Sequence, residues 1–166
     1  MQKKTTVELS PSLVRLRSYG VWMLGRQDYT ENKLRMKMKM RFPESADAIE
    51  GVLQSLIDDD SLNDKRFIKR LVSSYIESGQ LGPSAMTSKL YQKGFNKADI
   101  QSSMSLDIVQ EHNFFDKALI FKIKHYGEAP IIDQNEKRRA LGKLVRKGFS
   151  FSDSLKAIST HSDDIE

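Results

Sequence analysis

The heptapeptide KLYQKGF at residues 89–95 returns as KLVRKGF at residues 143–149, and a chain that repeats itself constrains its fold more than any single motif can. The match runs past the seven residues. Asn96-Lys97-Ala98-Asp99 follows the first copy and Ser150-Phe151-Ser152-Asp153 the second. In each, a side chain able to cap a helix N-terminus precedes a carboxylate by three residues, which is close to a capping box. Gly94 and Gly148 then read as helix stops, since glycine enters the left-handed region without the penalty a Cβ imposes. Both are expected at positive φ. Phe95 and Phe149 sit just ahead of the caps, where Phe95 can staple onto Ile100, and Phe149 more weakly onto Ser154 or Leu155. The segment is therefore a helix end, a turn and a helix start, written twice.

Apolar spacing predicts helix almost everywhere else. Ile49, Val52, Leu53, Leu56 and Ile57 form a one-sided stripe, and Phe67, Leu71 and Tyr75 mark another. Ser10-Pro11, Gly82-Pro83 and the box from Asp133 to Glu136 supply starts, and Gly79 and Gly127 supply stops. KLRMKMKMR at residues 33–41 alternates with period two, yet Thr30 can cap a helix there and a lone strand would have no partner. About nine helices result, over 11–26, 31–41, 46–59, 64–78, 83–93, 97–105, 111–126, 134–147 and 151–160.

Nine divides by three. The two heptapeptides are 54 residues apart, and a step of 52 back from Lys89 reaches Lys37. Leu34, Met86 and Ala140 then align, as do Met38, Leu90 and Leu144. The expected fold is all-α, an elongated, curved array of three tandem three-helix repeats over 10–61, 62–106 and 107–160, each too small to bury its core alone. Residues 1–9 and 161–166 are expected to be flexible ends. The first repeat lacks the glycine and turns through Phe42-Pro43.

In this register Met38, Leu90 and Leu144 point inward, and the flanking pairs Lys37/Arg41, Lys89/Lys93 and Lys143/Lys147 recur on one side of equivalent helices. A merely solvated face would explain any one pair; threefold recurrence favours a binding surface. Arg139 and Arg146 flank Lys143, so the helix at 134–147 carries the densest patch. A net charge of +5 and a pI near 9.3 point the same way, to an acidic partner such as nucleic acid.

Other chemistries lack their residues. The chain has no cysteine, hence no disulfide framework and no thiolate. His112, His125 and His161 are too scattered for a zinc pattern, and each reads as a surface or helix-end histidine. No phosphate loop, dinucleotide fingerprint or nucleophile elbow occurs. Asp58-Asp59-Asp60 reads as a solvated acidic turn, and Trp22, Tyr75, Phe114 and Phe121 as core. No metal, cofactor or catalytic role is expected. No apolar run approaches the ~20 residues that span a bilayer, and MQKKTTVELS lacks a secretory apolar core, so a cytoplasmic monomer away from membranes is the expectation.

Taken in order, DYTENKLRMKM, SLNDKRF, Gly82-Pro83 with KLYQKGF, KHYGE and KLVRKGFSFSDSLKAI resemble the RecX family, bacterial regulators of the RecA recombinase, from about residue 15 to residue 158. The family usually writes Gly-x-Leu-Asp-Asp-x-Arg-Phe at the junction. Here Asp60 replaces the glycine and Asn63 the first aspartate, while Leu62, Asp64, Arg66 and Phe67 remain; Gln27 and Lys33 stand where the family has Arg and Glu. Arg66 suits packing or carboxylate pairing before contact with DNA. The resemblance implies a protein lying in the groove of the RecA filament on single- or double-stranded DNA. There it limits filament extension and so inhibits ATPase, strand exchange and the co-protease activity of the SOS response. An autonomous helical-repeat DNA-binding protein is the alternative. The residues expected to meet RecA or DNA are Lys37, Arg41, Lys89, Lys93, Arg139, Lys143, Arg146 and Lys147. Leu62, Asp64, Arg66, Phe67, Gly82, Pro83, Gly94, Phe95, Gly127, Gly148 and Phe149 carry the structural motif.

Overall fold

The computed structural model describes residues 11–161. The expected flexible segment at 1–9 lies outside them, as does the expected tail apart from His161. Ten α-helices and one 3-10 turn follow in order, with no strand among the described residues. They are α1 (Pro11–Arg26), α2 (Glu31–Arg41), the 3-10 turn Pro43–Ser45, α3 (Ala46–Asp58), α4 (Asp64–Ser78), α5 (Pro83–Lys93), α6 (Lys97–Met104), α7 (Asp107–Gln110), α8 (Phe114–Tyr126), α9 (Gln134–Arg146) and α10 (Phe151–Ser159). The basic alternating stretch is helical, with Thr30 Oγ1 accepting from the amide of Lys33 at 3.3 Å.

The expected ninefold count misses one helix. The segment predicted to start at 111 begins at Phe114, because Asn113 Oδ1 accepts from the Asp116 amide at 3.3 Å and caps α8 there. Asp107–Gln110 is a separate turn of helix before it. The predicted stripe on α4 is displaced by one residue. Ile68, Val72 and Ile76 are buried while Phe67, Leu71 and Tyr75 are half-buried flank residues, where a tyrosine keeps its hydroxyl near water. Trp22 is not core either: it is 53% exposed, with the Arg26 guanidinium 4.9 Å from its ring. On α10 the side chain of Leu155 faces solvent, so it does not staple Phe149.

The chain packs into two compact units, one reaching to Phe67 and including Lys93–Phe95, the other comprising Ile68–Gln92 and the residues from Asn96 on. In the first, Leu16 and Met23 of α1, Leu34 and Met38 of α2, and Ile49, Val52, Leu53 and Leu56 of α3 close around one another with Leu62. Each such side chain removed from water contributes about 1.5–3 kcal/mol. In the second, Ala118 and Leu119 of α8, Ala140 and Leu144 of α9, and Ala157 and Ile158 of α10 close around Phe149 and Ile131.

One charge lies inside that second unit. Lys122 has no exposed surface, and its ammonium donates to the carbonyls of Glu128, Ala129 and Thr160 at 2.8, 2.8 and 3.1 Å. Three acceptors saturate its three donors. The side chain thereby ties the loop after α8 and the residue after α10 to α8 itself. Burial still holds its pKa below the usual lysine value, partly offset by the charge of Glu128.

Candidate functional site

The glycines of the repeated heptapeptide stand where the expectation put them, at φ +92° for Gly94 and +89° for Gly148. At Gly148 the closure is a Schellman motif. The Gly148 amide donates to Val145 O at 2.9 Å and the Phe149 amide to Leu144 O at 3.3 Å, with Phe149 and Leu144 packed in the same core.

Each of these turns also receives the start of another helix. In the first unit, Thr30 Oγ1 donates to Lys93 O and Asn32 Nδ2 to Gly94 O, both at 2.9 Å. In the second, the Gly82 amide donates to Lys147 O at 2.9 Å and the Ser84 amide to Gly148 O at 3.2 Å. Thr30 and Asn32 become Gly82 and Ser84 by the 52-residue step, and Lys93 and Gly94 become Lys147 and Gly148 by the 54-residue step. The same joint is therefore built twice, by side chains once and by backbone once. The backbone version needs glycine on both sides. A Cβ on Gly82 would stand 2.2 Å from Gly148 O, and one on Gly148 would stand 2.2 Å from the Ala85 amide nitrogen.

Residues of the junction SLNDKRF complete the first joint. Asp64 Oδ1 accepts from the Glu31 amide at 3.0 Å, satisfying a donor in the first turn of α2, and the rings of Phe67 and Phe95 meet at 5.3 Å. Leu62 enters the core. Asp60, in the place of the family's glycine, has φ +59°, a conformation that costs a residue with a Cβ roughly 1–2 kcal/mol. Its side chain holds the turn from outside. Asn63 Nδ2 donates to Asp60 Oδ1 at 2.6 Å, Arg66 pairs with the carboxylate, and Arg66 also donates to Asp60 O at 2.9 Å. These bonds, Asn63 first, keep the carboxyl below the usual carboxylate range. Arg66 is thus committed to its own turn.

Beside each joint lies a basic groove. The one in the second unit, about 480 Å3, is walled by Ser84 and Ser88 of α5 and by Lys89, Lys143, Arg146 and Lys147, with no carboxylate along it. The one in the first unit, about 280 Å3, is walled by Tyr29, Lys33, Lys37, Phe67 and Lys93, with Asp28 its single acid. Six of the eight expected contact residues therefore line a groove. The other two do not: Arg41 lies with its guanidinium 5.2 Å from the Phe42 ring, and Arg139 is exposed on α9 outside the groove. Lys33 and Gln27, noted in the sequence only as departures from the family pattern, both line the first groove.

Among the described residues, none neutralises the charges of the second groove through a carboxylate in its wall. Ion pairs join Arg17 to Asp59, Arg35 to Glu31 and Glu50, and Arg66 to Asp60, and none of these is a residue of that groove. Lys143 instead lies 5.5 Å from the Phe121 ring and 5.6 Å from Tyr126, and Lys147 lies 5.7 Å from Phe121. Aromatic faces hold these ammonium groups in place without cancelling their charge. Phe121 packs against the core of this unit, as its sequence spacing predicts; that it also lies beside Lys143 and Lys147 is a tertiary fact.

No protein-family model matches the chain. The chain is 27% identical over 157 residues to the regulatory protein RecX of Streptococcus pneumoniae (strain 70585), covering 90% of this chain and 58% of that protein, so it spans little more than half of that relative. It is 24% identical over 144 residues to the regulatory protein RecX of Acinetobacter baylyi, covering 87% and 86% of the two. The fold is similar to the crystal structure of RecX from Lactobacillus salivarius, with a TM-score of 0.72 at 19% identity over 88% of this chain and 94% of the other. A second crystal structure, of a regulatory protein RecX, superposes with a TM-score of 0.67 at 23% identity over 87% and 71%. The quoted motifs in their order, the helical fold and these likenesses along most of the chain agree in making this chain similar to RecX regulatory proteins.

Proposed function

We propose that this protein is a regulator of RecA that binds the RecA–DNA filament through its basic grooves, acting by occupancy and not by catalysis. The observation that carries the reading is the groove beside Gly148, where four cations converge and no carboxylate among the described residues lines the wall. Like charges held together raise the energy of the free protein, and an anionic partner relieves that cost while its counterions are released. Repetition of the joint supplies a second basic groove at an equivalent place in the register, which suits a target that repeats its own charges. Three tandem units, bounded near 61 and 106, are part of this proposal. Bound along the groove of the filament, the protein limits extension, and inhibition of ATPase, strand exchange and co-protease activity follows.

The test adds purified protein to RecA filaments on single-stranded DNA and follows ATPase rate and filament length together. A falling rate with shortening filaments is expected. Salt-sensitive binding to naked DNA with no effect on RecA would support the autonomous DNA-binding alternative and overturn this reading.

A further inference from the structure

Next to the α9 groove, and sharing Lys147 with it, lies a second cleft whose other residues the RecA reading does not use. It measures about 380 Å3 and is framed by the turn at Gly79 and Gln80, the outer face of α8 and the end of α9. Lys117, Lys124 and His125 of α8 face it together with Lys147, and among the described residues no Asp or Glu lines it. Lys117 is held in place by a close approach: its Cδ, Cε and Nζ would lie 3.0, 3.4 and 3.6 Å from a Cβ on Gly79, so its stem runs over the bare glycine. His125 stands edge-on to Phe121 at 4.3 Å, which orients the imidazole, and Lys147 is placed against the same ring.

We infer that this cleft is a binding site for a tetrahedral oxyanion group, a phosphate ester or its inorganic equivalent, held by Lys117, Lys124 and Lys147, with His125 donating a hydrogen bond when protonated. Two lysines and the imidazole of α8, with Lys147 at the end of α9, line one open space, and lysine serves such groups as a movable point charge. The groups facing His125 are all cationic: Lys117 and Lys124 from α8, and Lys143 and Lys147 from α9, while the turn at 78–80 contributes no ionisable side chain. Desolvation and then the charges of Lys143, Lys124 and Lys147 hold the imidazole below its usual pKa. A bound dianion reverses the sign of the local field, so binding draws a proton onto His125 and tightens as pH falls. The inference does not rest on the RecA reading, and its test contains no RecA.

The experiment follows the His125 ring resonances of the intact protein by NMR between pH 5 and 8 under three conditions: chloride alone, added sodium sulfate, and added oligothymidylate. Sulfate keeps its charge of two across this range, and the oligonucleotide backbone likewise does not titrate there. The expected result is a His125 pKa that moves upward with an anion present, and an affinity that rises on the order of tenfold from pH 7.5 to 5.5. In Lys124→Gln/His125→Gln, two exposed positions whose replacement keeps the helix, the pH dependence should vanish with unchanged melting temperature. A shift with sulfate identifies a free tetrahedral dianion as sufficient; a shift with oligothymidylate alone identifies a nucleic-acid phosphate. If neither anion moves the His125 titration, or if the double variant binds with the same pH dependence, the site does not exist.

Discussion

Gly94 and Gly148 are the same letter in the sequence but differ in how much their neighbours tolerate. At both, any side chain meets the left-handed penalty of about 1–2 kcal/mol. At Gly94 the nearest obstacle to a Cβ is the Thr30 hydroxyl at 2.9 Å, whereas at Gly148 it is the backbone of Ala85 at 2.2 Å, which cannot swing aside. Gly94→Ala should therefore cost about 1–2 kcal/mol and Gly94→Val more, while Gly148→Ala should cost roughly 3 kcal/mol or more through added overpacking; urea denaturation of the three variants gives the order. Asp60 offers the converse. Asp60→Ala keeps the strained φ and loses the bonds to Asn63 and Arg66, while Asp60→Gly loses the bonds but relieves the strain. The glycine variant should be the more stable of the two by thermal melting. Lys122 was invisible in the sequence, where a lysine on a helix reads as surface. Lys122→Met should lose about 1–3 kcal/mol, since three carbonyls are left without their donor, and Lys122→Ala more, through the cavity left by the stem.

At the scale of elements, α9 carries a buried apolar side and a cationic side on one helix. Its inner side, Ala140 and Leu144, is fully buried, and its outer side carries Arg139, Lys143 and Arg146. Changing those three to alanine should leave helicity intact and lower the melting temperature by only a few degrees, because exposed Arg139 and Arg146 contribute little and half-buried Lys143 loses about 0.5–1 kcal/mol of contact with the Phe121 and Tyr126 rings. On the proposed function, inhibition of RecA should weaken. The log-log slope of DNA affinity against salt should flatten by roughly one unit for each phosphate that the variant no longer neutralises. Unchanged inhibition and slope would return this face to simple solvation. The caps of α2, α6, α9 and α10 were legible because Thr30, Asn96, Asp133 and Ser150 each precede a helix at the spacing that lets one side-chain oxygen reach the third amide on. The cap of α8 obeys the same rule through Asn113, and the aromatic pair after it hid the boundary by continuing the apolar pattern.

For the whole molecule, acid should be destabilising from near neutrality. Burial, with the charge of Lys117, holds His112 below its ordinary pKa, and desolvation with the lysines around it does the same for His125. The unfolded chain then binds more protons than the folded one as pH falls below about 6.5, so stability is full above that value and declines beneath it. Because the protein already carries a net charge of +5, the decline should be shallower in high salt. Denaturant titrations at pH 8, 6.5 and 5 read the effect, and a flat profile would show that neither imidazole is depressed. Most of what is local or periodic could be read from the residues alone: helix content, four caps, the positive φ of the two repeated glycines, the inward Met38, Leu90 and Leu144, and the 52- and 54-residue register, though not the buried stripe of α4 or the start of α8. Those follow from dihedral preference and from 3.6-residue periodicity, both of which act within a few residues. It took the folded chain to bring Thr30 to Lys93 across 63 residues, to enclose Lys122 by three carbonyls, and to lay Phe121 under Lys143 and Lys147. Those contacts depend on where helices cross, which packing fixes and local preference does not.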